Sequence, residues 1–356
     1  MSRLPTPAAA DPQGWREADL ESVGACPACR SSGRALLYDG LQDRIVATPG
    51  AWSLWRCTSC RSVYLDPRPT AGSIGRAYGR EYVTHEPPVD RTRANPLVRA
   101  RRRLLNGYLN RRYGYGLSPA VDAGAWILPR LPYKAVRVDR WIRHLHPAPG
   151  RTRLLDFGCG NGEFLIQMRE LGWSVQGLDF DPEAVSEATA TGLSVRLGSL
   201  DALDPEVDRF DAITLGHVVE HLHDPLATLR RARKLLEPGG MIWMATPNIQ
   251  ALGHRLFRQS WFALDPPRHL VLFNSESLPQ LVREAGFDRV EVLPPVPAAR
   301  WLFPPSLAIA RGRHPLKEDE PLSPGLRVRA TVAELAAARR PQLAEELIVA
   351  GWAPGR

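Results

Sequence analysis

The chain lacks a long apolar run. It has 356 residues, 44% of them hydrophobic, yet no uninterrupted apolar stretch reaches the length of about 18 that a membrane-spanning helix needs. The best candidate, 290–310, is interrupted by Arg300 and several prolines. The first residues do not read as a secretory leader either. Met1 to Gly14 is rich in proline and alanine without an apolar core, and 1–19 reads as a disordered tail. Cysteine is scarce, with five in the whole chain. Four of them form two tight pairs and the fifth sits in a glycine-rich turn, so a disulfide scaffold is excluded in favour of a reducing, cytoplasmic setting and metal binding. No internal repeat is present. Nor is the positive charge spread evenly. The net charge is +8, but 89–143 alone holds 13 Lys or Arg against 3 Asp, which leaves the remainder slightly acidic.

What is present divides into a small module over 20–66, a basic connector and helical lid over 67–150, and an α/β domain over 151–356 interrupted by an insertion at 297–342. In the α/β domain, Arg153 to Phe157 is a short strand running into a glycine-rich turn, and a helix follows that Gly172 is placed to end. Ser174 to Asp179 is a second strand. Asp181-Pro182 and Asp224-Pro225 each pair an N-cap with proline at the first helical position. Further strands are expected at 193–197, 210–215, 241–245, 289–293 and 346–351, with a helix at about 277–285. This alternation predicts a Rossmann-like, seven-stranded, mostly parallel sheet with helices on both faces.

The turn reads Asp156-Phe157-Gly158-Cys159-Gly160-Asn161-Gly162. Its glycines let the backbone turn sharply and approach a ligand, and the helix N-terminus offers free N–H groups. Asp179, 23 residues after Asp156, closes the next strand, where a carboxylate can accept from both hydroxyls of a ribose. The spacing is not that of dinucleotide-binding loops. A carboxylate at 156 would repel a pyrophosphate and suits the ammonium of a methionine moiety, which favours S-adenosylmethionine over NAD.

With Gly177-Leu178-Asp179-Phe180-Asp181-Pro182, Phe210-Asp211-Ala212-Ile213 and Glu237-Pro238-Gly239-Gly240, this pattern resembles the class I S-adenosylmethionine-dependent methyltransferases. The resemblance covers about 150–296 and the last strand. It implies that Asp156, Gly158, Gly160 and Asn161 hold the methionine part, Asp179 the ribose, and that Phe180 flanks the adenine. Gly198-Ser199-Leu200-Asp201 stands where many members meet the adenine amine, a contact left open here. Cys159 reads as packing.

Two polar segments follow strands at the cofactor edge. Gly216-His217-Val218-Val219-Glu220-His221 places His217, Glu220 and His221 on one side of a turn. They are read as acid/base groups, as substrate contacts, as a loop-orienting pair, or as metal ligands. The segment resembles the Glu-x-x-Glu-His run of quinone-biosynthesis O-methyltransferases with His217 in place of the first Glu. Asp265-Pro266-Pro267-Arg268-His269 offers Arg268 for an anionic acceptor group and His269 as a base, or else a buried loop anchor. His217, His221 and His269 are thus the candidate catalytic groups, and Glu220 and Arg268 the candidate substrate contacts.

Cys26-Pro27-Ala28-Cys29 and Cys57-Thr58-Ser59-Cys60 are two knuckles 27 residues apart, a tetrathiolate pattern suited to a structural zinc. Some methyltransferases acting on sugars and related metabolites carry a cysteine-rich module of this kind. The module is not strongly basic and shows no recognition helix, which disfavours nucleic acid. Asp66 to Thr70, followed by Tyr78 and Tyr82, reads as a connector packed on the α/β domain. Leu97, Leu104, Leu105, Tyr108 and Leu109 recur at helical spacing among arginines. They predict an amphipathic basic helix, weakened at Gly107, that caps the site or meets anionic lipid or a phosphorylated acceptor. Trp301 to Leu307 in the insertion offers an apolar acceptor pocket or a membrane contact. The function expected is methyl transfer to a small-molecule acceptor such as a sugar, a quinone-like compound or a lipid-linked natural product. A non-catalytic S-adenosylmethionine-binding partner is the competing class.

Overall fold

The computed structural model describes residues 14–79, 96–318 and 320–355. Most of the expected tail, and Tyr82, lie outside these residues. The end of the tail does not behave as expected: Trp15 is buried edge-on against Trp52, with ring centroids 5.5 Å apart, and its indole N–H donates to Pro49 O.

The two cysteine knuckles fold alike. The N–H of Arg30 donates to Cys26 O and that of Arg61 to Cys57 O, with both arginines at φ +63°. Strands β1 (Arg34–Leu41), β2 (Trp52–Cys57) and β3 (Val63–Leu65) run antiparallel beside them. The basic segment forms α1 (Pro96–Tyr113), α2 (Ala123–Ile127) and α3 (Pro132–Trp141). Gly107 does not weaken α1. It is needed there, because a Cβ at 107 would collide with the carbonyl of Val121 as the chain returns toward α2.

The α/β domain follows in the order β4 (Arg153–Phe157), α4 (Glu163–Glu170), β5 (Ser174–Asp179), α5 (Pro182–Ala190), β6 (Val195–Leu197) and β7 (Phe210–Gly216). It continues with α6 (Pro225–Leu235), β8 (Leu236–Pro247), α7 (Leu252–Phe257), β9 (Val271–Leu272), α8 (Ser277–Glu284) and β10 (Arg289–Val292). The insertion supplies α9 (Ala299–Ala310) and α10 (Pro324–Arg339), and β11 (Glu346–Trp352) completes the sheet. The sheet order is β10-β11-β8-β7-β4-β5-β6, with β11 antiparallel to both its neighbours. The seven expected strands and their mostly parallel arrangement are all present. Asp181 and Asp224 cap α5 and α6 as expected, accepting from the N–H of Glu183 and Ala227. β8 is longer than expected. It begins at Leu236 and shifts register across the Pro-Gly-Gly turn before pairing regularly from Met241. Among the described residues, no helix is long and apolar enough to cross a membrane.

The cysteine module is joined to the α/β domain rather than strung beside it. β9 pairs with β3 (Val271 opposite Tyr64, Leu272 opposite Val63), so the α/β chain supplies the fourth strand of the module's sheet. One apolar core runs through both, from Trp15, Leu54 and Tyr64 to Phe157, Ile213 and Leu270. Across this seam sits Arg268, with no exposed surface. Its five N–H groups go to Asp43 of the module, to Asp265 and to Ala77 O, at 2.5–3.0 Å. Arg268 therefore does not meet an acceptor anion. Its guanidinium is consumed as a buried loop anchor. Burial works to raise the Asp43 pKa, but the hydrogen bonds and charge of Arg268 outweigh it and hold the group at about 2.

Removing one partner of a buried ion pair costs about 3–5 kcal/mol, because the other charge stays unpaired. Arg268→Met is expected to lose stability on that scale, read as a fall in the urea midpoint. Asp43 titrates lower in the folded state than in the unfolded chain. Its contribution is thus full above pH about 4 and lost as pH falls toward 2. A variant with the wild-type midpoint would contradict this assignment.

Candidate active site

The C-terminal ends of β4, β5, β7 and β8 converge on one edge of the sheet, where open α/β folds bind ligands. The glycine loop leaves β4 there. Gly158, Gly160 and Gly162 adopt φ of +74°, +52° and +80°, which side chains rarely tolerate. A Cβ on Gly158 would strike Val218, so the loop is packed against the segment that carries His217 to His221. A Cβ on Gly160 would meet nothing within 4 Å, so the backbone there is open to approach. Cys159 is buried with Leu165, Ala188 and Leu193, a packing residue as expected.

Asp156 is almost completely buried, and burial raises its pKa. One carboxylate oxygen takes hydrogen bonds from Arg143 and from Thr214 (2.8 Å), while Oδ2 has no partner among the described residues. Asp179 accepts from the N–H of Gly160 (2.8 Å) and of Asp181 (3.0 Å), one at each oxygen, which leaves lone pairs on both. Burial again raises its pKa. Asn161 accepts from the N–H of Glu163 and fixes the start of α4. Phe180 is exposed and lies 5.4 Å from the Phe157 ring.

Sequence reasoning missed the cations at this edge. Arg143, just beyond α3, sits 3.5 Å over the Phe164 ring beside Asp156. Arg140 makes a two-pronged contact with Glu346 (2.8 and 3.0 Å) at the start of β11. Both arginines lay inside a basic stretch with no internal code. The one local signal was a lone glutamate opening an otherwise apolar strand.

Glu346 also fixes His217, whose Nε2 donates to it at 2.9 Å while Nδ1 lies 3.4 Å from Glu220. Burial works to lower the His217 pKa, but the two carboxylates outweigh it and push it up to about 9. The two carboxylates thus favour the imidazolium form, which weighs against the expected role of His217 as a base. His217 meets Glu220, as the spacing predicts, but not His221. At φ +58° it turns outward toward β11.

Glu220, His221 and His269 come together instead, with one ligand atom from each within 4.8 Å of the others. His221 Nδ1 lies 2.9 Å from Arg268 O and 3.0 Å from the Tyr78 hydroxyl; His269 Nδ1 lies 2.8 Å from Ala263 O. A carbonyl only accepts, so each Nδ1 carries the proton and each Nε2 keeps its lone pair. Burial and the neighbouring His269 lower the His221 pKa to about 4. Glu220 is fully buried and neither carboxylate oxygen has a hydrogen bond.

In the module, Cys26 and Cys60 have sulfurs 3.7 Å apart, and Cys29 and Cys57 3.5 Å apart. All four lie within 4.8 Å of one another and none forms a disulfide.

A family model described as a methyltransferase domain matches residues 129–292. The ubiquinone biosynthesis O-methyltransferase of Cereibacter sphaeroides is 32% identical over 169 residues, which cover 44% of this chain and 68% of that protein. The enzyme of the same name from Xanthomonas oryzae pv. oryzae is 35% identical over 126 residues, covering 33% of this chain and 49% of that one. Among solved structures, a SAM-dependent methyltransferase from Archaeoglobus fulgidus aligns at 19% identity and a TM-score of 0.41, over 64% of this chain and 99% of that chain. The family match spans the glycine loop, Asp179 and the His217–His221 segment. The chain belongs to the class I S-adenosylmethionine-dependent methyltransferases.

Proposed function

We propose that this enzyme methylates a hydroxyl oxygen of a small quinol- or phenol-like acceptor. The observation that carries the reading is the pair of imidazoles at the donor edge, each tied at Nδ1 and open at Nε2. The ubiquinone O-methyltransferases it resembles support the acceptor class.

Bound S-adenosylmethionine supplies an electron-poor methyl carbon on a sulfonium. The chain's own residues fit such a donor. Asp156 Oδ2 is a buried acceptor without a partner, suited to the methionine ammonium, and Arg143 beside it suits the carboxylate. Asp179 has lone pairs left for the ribose hydroxyls, Gly160 leaves the backbone open to approach, and exposed Phe180 offers a face to the adenine. The first task of the site is alignment of donor and acceptor. The second is removal of the hydroxyl proton, which His221 Nε2 takes, with His269 as the alternative acceptor. His217 stays charged, held by Glu346 and Glu220, and orients the loop.

A second reading rests on Glu220. A buried carboxylate with no hydrogen bond, met by His217 at 3.4 Å and facing two imidazoles whose Nδ1 atoms are tied to carbonyls, fits the surroundings of a divalent cation. Glu220, His221 and His269 would be its ligands, and it would acidify the acceptor hydroxyl.

The four cysteines fit zinc. Sulfurs at 2.3 Å from a tetrahedral zinc stand about 3.8 Å apart, close to the spacings of 3.5 and 3.7 Å here. All four positions would be taken by protein, so the metal would be structural.

Three measurements test these assignments. Labelled methyl should pass from S-adenosylmethionine to phenolic or quinol acceptors, and His221→Ala should lower kcat by about 10²-fold or more without loss of S-adenosylhomocysteine affinity by calorimetry. Retained product-cofactor binding with no transfer to any hydroxyl acceptor would overturn the acceptor class. Elemental analysis should find about one zinc per chain, lost in Cys26→Ser/Cys57→Ser. The second reading requires a further bound ion, such as manganese, that is lost in Glu220→Gln while the zinc remains. Full activity without that ion excludes it.

A further inference from the structure

We infer that the tip formed by α2, the following turn and the start of α3, extended by α10, docks on an anionic lipid surface. Four large apolar side chains project from the eight residues 126–133: Trp126, Ile127, Leu131 and Tyr133 are all exposed, Trp126 to 61%. Pro129 and Pro132 stiffen the turn between the helices. Exposed apolar side chains scattered singly need no explanation, but a cluster of this kind marks an interaction site.

The tip is tied to the insertion. The Tyr133 hydroxyl donates to Glu334 of α10, which also meets Arg300 of α9. On α10, Val328, Val332 and Leu335 are exposed at intervals of four and three, so one outward face of that helix is apolar. Trp301, next to Arg300, is 71% exposed. Helices drawn from two distant parts of the chain thus present apolar faces and are tied together at Tyr133–Glu334.

Charge decides what covers this surface. Between 96 and 143 there are eleven Lys or Arg and two Asp, one of which, Asp139, is buried. Arg111 lies 5.9 Å from the Trp126 ring, and Arg130 donates to Trp126 O. Arg111, Arg130, Lys134 and Arg137 are exposed and have no ion pair among the described residues. An apolar tip rich in tryptophan, tyrosine and leucine, collared by cations on long flexible stems, matches a bilayer interface. The rings sit at headgroup depth and the cations reach the phosphates. α3 spans about 15 Å and runs from this tip to Arg140 and Arg143 in the active site. A docked enzyme would therefore hold its active site about one short helix from the bilayer. The docking does not depend on which acceptor is methylated.

The test is cosedimentation of the full chain with vesicles of phosphatidylcholine alone or with about one-third phosphatidylglycerol, at low and high salt. Binding to the anionic vesicles is expected, released by salt, with at most weak binding to the neutral ones. Arg130→Ser/Arg137→Ser should lower binding by about 25-fold, roughly fivefold per cation. Trp126→Ser/Ile127→Ser should lower it by about tenfold or more. Both pairs are exposed, so the melting temperature and S-adenosylhomocysteine binding should stay at wild-type values in each. Arg255→Ser/Arg258→Ser, on α7 and the turn after it, should bind vesicles as wild type does. If wild type ignores anionic vesicles while still binding S-adenosylhomocysteine, the proposal is wrong. It also fails if the tip variants bind as well as wild type or the α7 pair weakens binding equally. Self-association through this face, seen by ultracentrifugation in the absence of vesicle binding, overturns it too.

Discussion

The buried guanidinium of Arg268 is the contact on which the arrangement of this molecule turns. It joins a carboxylate of the cysteine module to one in the α/β domain, and it does so where no water can substitute. Its reach is longer than its ion pairs. The carbonyl of the same residue holds His221 Nδ1, and its guanidinium holds the carbonyl of Ala77, the neighbour of Tyr78. Tyr78 in turn stands against His221. The seam between the two parts of the chain is therefore also the mount for an imidazole at the active edge. The module is thereby coupled to this imidazole although its cysteines are remote from it in the sequence.

A second set of charges closes the opposite wall. Arg140 and Arg143, at the end of one helix, engage Glu346 and Asp156, from the last strand and the first strand of the sheet. The loop carboxylate is thus not an isolated negative charge waiting for an ammonium, as its position in the loop alone suggests. It is already paired with Arg143 through one oxygen, and only the other remains open. That combination sets a cation beside an anion with one open oxygen, complementary to the charge pattern of the α-amino acid group proposed to bind there.

Legibility in the sequence follows the range of the forces involved. The strands of the large sheet and helices α4, α5, α6 and α8 between 153 and 292 were readable because local chemistry sets their ends. An aspartate before a proline caps a helix wherever it occurs, and a glycine ends one. The glycine loop and Asp179 were readable for the same reason. For Arg268 the buried-anchor reading stood beside the acceptor reading but without its partners, because these lie 225 and three residues before it and only folding brings Asp43 to it. Glu346 and the shifted role of His217 are of the same kind. The two-residue strand β9 carries no periodicity at all. Its identity comes from the partner strand, not from its own residues.

The placement of the insertion has a consequence for how such a chain can change. It leaves the sheet after β10 and returns at β11, and those two strands are hydrogen-bonded neighbours, with Val292 opposite Val349 and the N–H of Leu293 donating to Ile348 O. The two ends of the segment are therefore clamped together by the sheet itself. The entropy of closing a loop grows only slowly with its length. Helices there can be lengthened, exchanged or lost with little penalty to the sheet or to the pocket on its far strands. Evolution can revise what the enzyme touches at this edge while inheriting intact the machinery that holds the donor.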